Sequence, residues 1–141
     1  MSDWTIKLDA AALNDVLADA FPSDTRVDLV RDVSPGRVRP VRPFHPSMLW
    51  PGELISGPTL MNLADNAAYV LVMAHAGAEL MAVTTSLTMH FLRGARPGDV
   101  HAEAQLLTLG RRLAVCDVRL WTETPERLAE QASVTYARAP S

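Results

Sequence analysis

The chain has 141 residues, 48% of them hydrophobic, which is ample for one core and leaves no room for a second, so residues 1–141 are expected to form a single domain. Its net charge of −3 gives no global attraction to nucleic acid or to an anionic membrane, and neither partner is expected. Cys116 is the only cysteine, which excludes an internal disulfide and a cysteine-based metal site and fits a reducing cytoplasm. The polar, acidic start of the chain lacks the basic and then apolar pattern of a signal peptide.

Asp9 can cap a short helix through Ala20, with Leu13, Val16, Leu17 and Ala20 at helical spacing and Pro22 as its stop. Residues 25–33 alternate as a strand, and Ser34-Pro35-Gly36 turns the chain into residues 37–42. Pro40 and Pro43 lack N–H donors, so this second strand is expected at a sheet edge, or short and irregular, with its arginines on a solvated face. Residues 44–53, rich in proline and carrying Trp50, should form a fixed loop that feeds the next helix.

That helix is the centre of the sequence. Pro58 suits a first helical turn and Gly77 suits a helix end, so about twenty residues, roughly 30 Å, form one cylinder. Nearly all of its surface is apolar, which calls for burial on most sides. The exception is a stripe of Thr59, Asn62, Asp65, Asn66 and Tyr69, in which Asp65 is the only formal charge. A carboxylate there must be hydrogen-bonded, neutralised, or turned to a ligand or a wet cleft. Asn62, Asn66 and Tyr69 are its nearest candidate partners in sequence.

Beyond the helix, Met81, Val83, Thr85, Leu87, Met89 and Phe91 alternate with smaller or polar residues, a clear period of two. Residues 93–99 turn, Val100, Ala102, Ala104 and Leu106 alternate in a further strand, and residues 113–122 and 128–137 supply two more. The order of elements predicts an α+β fold in which one antiparallel sheet wraps the buried helix.

The glycines never take phosphate-cradling spacings, and Leu54 stands where a hydrolase elbow around Ser56 would need glycine. The four histidines form no i, i+4 pair, so no metal site is expected, and Cys116 reads as a small core residue. What remains is the start of the long helix, whose free N–H groups suit a developing oxyanion, and Asp65 two turns further on as nucleophile or base.

These residues also carry a resemblance. Ser56-Gly57-Pro58 through Leu63-Ala64-Asp65-Asn66-Ala67, residues 82–87, residues 91–99 and residues 110–115 are similar, in order and spacing, to the hotdog-fold acyl-CoA thioesterases of the phenylacetate-pathway and 4-hydroxybenzoyl-CoA group. The resemblance implies a hotdog fold and hydrolysis of acyl-CoA with no cofactor beyond the coenzyme A of the substrate. It puts Asp65 at the carboxylate that attacks the thioester or activates water, and Gly57 at the amide that binds the thioester carbonyl. Thr84 falls at a hydroxyl position that helps hold water, acting on the partner subunit's Asp65 in a homodimer or homotetramer with interface sites. Arg93 and Arg96, with Arg111 and Arg112, would meet the coenzyme A phosphates. Ser56 stands where the family has His, Pro58 replaces a second Gly, and Trp50 replaces a site Asn. The rival readings are an acyl-CoA hydratase or dehydratase, whose His–acid pairing Ser56 breaks, and a non-catalytic acyl-CoA-binding module.

Overall fold

A computed structural model describes residues 4–21 and 28–139. Helix α1 (Ala10–Ala20) starts where Asp9 accepts a hydrogen bond from the Ala12 N–H at 2.8 Å, and it buries Leu13 and Leu17. Its Asn14 side chain bonds both the N–H and the C=O of Val30, at 2.9 Å each, and so fastens α1 to the first strand. The expected stop at Pro22 and the start of the strand predicted over residues 25–33 lie outside the described residues.

Strands β1 (Leu29–Ser34) and β2 (Arg37–Arg42) form a hairpin whose turn needs Gly36, at φ 77°. A one-turn 3-10 helix (Pro46–Met48) leads to the short pair β3 (Leu49–Trp50) and β4 (Leu54–Ile55). The central helix α2 spans Gly57–Ala76, capped by the Ser56 side chain and closed by Gly77 at φ 101°. Four strands follow: β5 (Val83–Phe91), β6 (Val100–Leu109), β7 (Leu113–Trp121) and β8 (Glu130–Ala137).

The six long strands make one antiparallel sheet in the order β1-β2-β6-β7-β8-β5, which curls around α2. Small inward residues, Ala102 and Ala104 on β6, Ala114 on β7 and Ala132 on β8, leave room for the helix to lie close to the sheet. The remaining strand residues on that side, among them Val100, Val118, Leu120 and Val134, fill the space with Leu63 and Leu71 of α2. Removing apolar surface on this scale, at about 25 cal/mol per Å², is the main stabilising term.

Two expectations need correction. β2 is an interior strand between β1 and β6 and not an edge; the alternative of a short, irregular strand holds, since its six residues lose pairing with β6 between Val38↔Ala104 and Val41↔His101, across Arg39 and Pro40. Its arginines also divide. Arg37 and Arg39 reach Glu103 from the surface, whereas Arg42 is buried in an ion pair with Asp28.

His75 has a structural task. Its Nε2 accepts from the Gly36 N–H at 2.8 Å and its Nδ1 lies 3.0 Å from the Leu71 carbonyl, which fixes the neutral tautomer with its proton on Nδ1. The imidazole thereby ties the β1–β2 turn to α2. Cys116 is buried, and burial pushes its thiol up to about 12.

Candidate active site

Among the described residues the start of α2 has one unused donor. The Ser56 N–H is taken by the Met48 carbonyl, Pro58 has none, the Thr59 N–H points to the Ser56 hydroxyl and the Leu60 N–H to the Ser56 carbonyl. The Gly57 N–H has no partner among the described residues, and it sits at the positive end of a 20-residue helix. Ser56 itself is buried, with its hydroxyl held between Thr59 N at 3.2 Å and Thr59 Oγ1 at 2.7 Å, the geometry of a helix cap. A side chain built on Gly57 would place its Cβ 3.5 Å from the Phe91 ring, so the end of β5 packs directly beside this amide.

Asp65 lies half-buried on the flank of α2 that faces β5 and β8. Its partners are none of the three expected from sequence. The Thr84 hydroxyl donates to Oδ1 at 2.6 Å and the Tyr136 hydroxyl to the same oxygen at 2.9 Å. Among the described residues Oδ2 has no protein partner and the only buried orphan side-chain oxygens are those of Glu130, so Oδ2 keeps access to solvent. Tyr136 is held firmly in its protonated form, first by burial and then by the adjacent Asp65 carboxylate.

Thr84 reaches Asp65 because the alternation of β5 breaks. Leu87, Met89 and Phe91 face Val134, Ala132 and Glu130, the inward residues of β8, but the register slips between Thr84 and Ser86. Thr85 is the extra residue of a β-bulge, and beyond it Thr84 stands opposite Tyr136 on the inner face. The sequence pattern that joins Thr85 and Val83 to Leu87 therefore fails at this rung. Within this chain Thr84 bonds its own Asp65, where the resemblance implied the Asp65 of a partner subunit.

The arginines fall at two ends of the sheet. Arg93 lies beside Gly57, Leu60 and Phe91 in a cleft of about 330 Å³, and with Arg96 it lines an adjoining groove of about 540 Å³ together with Glu53, Glu123 and Arg127. Arg127, which the sequence reading passed over, is brought there by the connection between β7 and β8. Arg111 and Arg112 turn between β6 and β7, next to Ala137 and the Val83 end of β5, one strand length away. Trp50 is exposed, and Glu53 occupies a left-handed position, φ 59°, in the β3–β4 turn.

The other flank of α2 borders a cavity of about 300 Å³ with apolar walls from Leu17, Phe21, Val30 and Val70. Its polar wall is a network: Arg42 bonds Asp28 at 2.5 and 2.8 Å and Asn62 at 2.6 Å, and Asn66 bonds Asp28 at 3.1 Å. Tyr69 completes the lining and gives its hydroxyl proton to the Leu80 carbonyl.

A long helix wrapped by a six-stranded antiparallel sheet, with the strand that follows the helix displaced to the sheet edge, is a hotdog fold. The chain belongs to the thioesterase superfamily, whose family profile it matches over residues 52–129. It is similar to a candidate thioesterase from Silicibacter sp. TM1040, at 31% identity and a TM-score of 0.86, over 97% of this chain and 96% of that one. A Pseudomonas aeruginosa thioesterase shares the fold at 22% identity and a TM-score of 0.82, over 99% and 100% of the two chains. A phenylacetic acid degradation-related protein from Ralstonia eutropha JMP134 does so at 22% and 0.76, over 89% and 98%. No curated protein matches the sequence. Among the described residues no helix is long and apolar enough to cross a membrane.

Proposed function

We propose that this thioesterase hydrolyses acyl-CoA, with the Asp65 carboxylate as nucleophile or general base and the Gly57 N–H polarising the thioester carbonyl. The observation that carries the reading is the pair of unused groups: one free amide at the helix start, and one carboxylate oxygen left open by the hydrogen bonds of its neighbour. A donor aimed at a carbonyl oxygen that gains charge during attack stabilises the transition state more than the ground state.

The two groups cannot serve one carbonyl from a single chain. Eight residues of helix separate them by about 12 Å along the axis, several times the ~3 Å reach that each contact needs. Two chains resolve this. β5 is an edge strand with Val83 and Phe91 exposed, and with exposed Met81 just before it, a template for pairing with a second copy. Antiparallel pairing of β5 with its own copy near the strand's middle lays the Thr84 end of one chain beside the Phe91 end of the other. Phe91 is the residue against Gly57, so each site takes Asp65 and Thr84 from one subunit and Gly57 from its partner. The same two-fold brings each Arg111-Arg112 turn toward the partner's Arg93-Arg96 turn, gathering four cations for the coenzyme A phosphates.

Subunit complementation tests this arrangement. Asp65→Asn removes the carboxylate and Gly57→Pro removes the amide, and each homodimer should release almost no thiol from an acyl-CoA panel. Reassociated mixtures should recover about a quarter of parent activity, since half of the dimers are mixed and each carries one intact site. No recovery from stable mixed dimers would overturn the shared site, and a monomer in light scattering would overturn it as well.

A further inference from the structure

The hydroxyl pair on Asp65 carries an inference about Tyr136, which rests on Asp65 being the reactive carboxylate of the proposed reaction. We infer that Tyr136 is a positioning residue that fixes which oxygen of Asp65 reacts. Its hydroxyl lies 2.9 Å from Oδ1 and 3.1 Å from the backbone carbonyl of the same residue. One phenol therefore ties the side chain of Asp65 to its own main chain, which restrains rotation about both side-chain bonds. Thr84 adds a second O–H donor to the same oxygen at 2.6 Å.

The origin of this clamp lies in the sheet. Thr84 and Tyr136 are direct partners across β5 and β8, and the bulge at Thr85 turns both hydroxyls to the helix side of one rung. Tyr136 is 3% exposed, and its ring packs 5.9 Å from that of Tyr69, so the phenol cannot swing away without opening the core. A freely rotating carboxylate would present either oxygen in many directions. Here Oδ1 is saturated by two donors and Oδ2 alone projects to the accessible side, the arrangement expected when a nucleophile or base must meet its target in one geometry. Both partners are neutral donors, so the clamp orients the carboxylate without cancelling its charge.

Tyr136→Phe keeps the ring and deletes the clamp. It should lower kcat by 10-fold or more with KM within about threefold of the parent, because the phenol acts through Asp65 and touches no substrate. A structural role alone would lower activity only in proportion to the folded fraction, so kcat is measured per folded dimer, well below the variant's own unfolding temperature. Asp65→Asn is assayed in parallel. An inactive Asp65→Asn beside a Tyr136→Phe with parental kcat would overturn the positioning role and leave the thioesterase reading intact. An Asp65→Asn with parental kcat would overturn the proposed mechanism itself, and the role of Tyr136 with it. As a second variant, Thr84→Val removes the other donor to Oδ1 from the rim of the site. Combined with Tyr136→Phe, it should reduce kcat by less than the product of the two single effects, because losing either donor already frees the carboxylate to rotate. A strictly multiplicative loss would mean that the two hydroxyls do not share the task.

Discussion

Two carboxylates flank α2 and are treated in opposite ways. On the side of β1 and β2, Asp28 is buried against Arg42, and Asn62 and Asn66 of the helix stripe complete the network. On the side of β5 and β8, Asp65 meets only neutral hydroxyls and keeps one oxygen open. A guanidinium saturates a carboxylate and cancels its charge, which makes the pair a structural joint. Hydroxyls hold a carboxylate in place and leave the charge available for chemistry. The helix stripe that reads as one feature in the sequence is therefore two devices, divided between Asn62 and Asn66 on one flank and Asp65 on the other.

The joint should show itself in stability. Arg42→Met leaves Asp28 buried without its cation, and loss of one partner from a buried pair costs about 3–5 kcal/mol. Denaturant unfolding should show the drop, and a further Asp28→Leu change should restore most of it, since the uncompensated charge is then gone. A double variant as unstable as Arg42→Met would mean that packing, not charge, dominates this flank.

Asp65→Asn should give the inverse pattern. The amide oxygen can still accept from Thr84 and Tyr136, so the unfolding temperature should hold or rise, while kcat falls about 10²-fold or more, as expected for loss of a nucleophile or base. If stability fell and kcat per folded molecule did not, Asp65 would belong with Asp28 as a structural acid.

A third carboxyl, Glu130, has neither kind of partner. It is fully buried at the start of β8, both oxygens are unpaired among the described residues, and burial pushes its carboxyl up to about 8. Between the ordinary value of 4.5 and about 8, the folded chain keeps a proton that the unfolded chain releases. Stability should therefore be greatest below that window, fall as pH rises through it, and level off above about 8. Glu130→Gln should flatten the slope and be more stable than the parent at pH 8, read by thermal unfolding across the window. An unchanged slope would place the titration elsewhere.

Much of this was legible in the sequence, for identifiable reasons. Asp9, Pro58 and Gly77 mark helix ends through local chemistry that needs no tertiary context, and α1 begins, and α2 begins and ends, where they place it. The alternation of Val100, Ala102, Ala104 and Leu106 holds because one face of β6 meets α2. The partners of Asp65 were not legible from periodicity, because the bulge at Thr85 reverses the facing of Thr84, and a bulge leaves no mark in a period of two. Tyr136 did leave a signal. It falls in phase with Ala132 and Val134, so a phenol on a buried face had to find an acceptor. The pairing of Asp28 with Arg42 spans two strands and a turn, a separation that no local pattern encodes.

The smallest expected effect concerns the groove beyond Gly57, and it extends the contrast from fixed pairs to exposed charge. Arg93, Arg96 and Arg127 lie around a groove that also holds Glu53 and Glu123, and Arg96 is 3.5 Å from Glu123 at the surface. An exposed pair of this kind contributes little to stability, so the unfolding temperature of Arg93→Ala with Arg96→Ala should stay close to the parent's. Contacts to coenzyme A phosphates bind ground and transition states alike, so KM should rise severalfold while kcat holds. The rise should shrink at high salt, where the parent's own KM climbs toward that of the variant. Arg127→Ala should behave in the same way if the phosphates follow the groove to the β7–β8 connection. An unchanged KM in both variants, with Arg111→Ala and Arg112→Ala raising it instead, would assign phosphate binding to the partner's turn and leave this groove to the solvent.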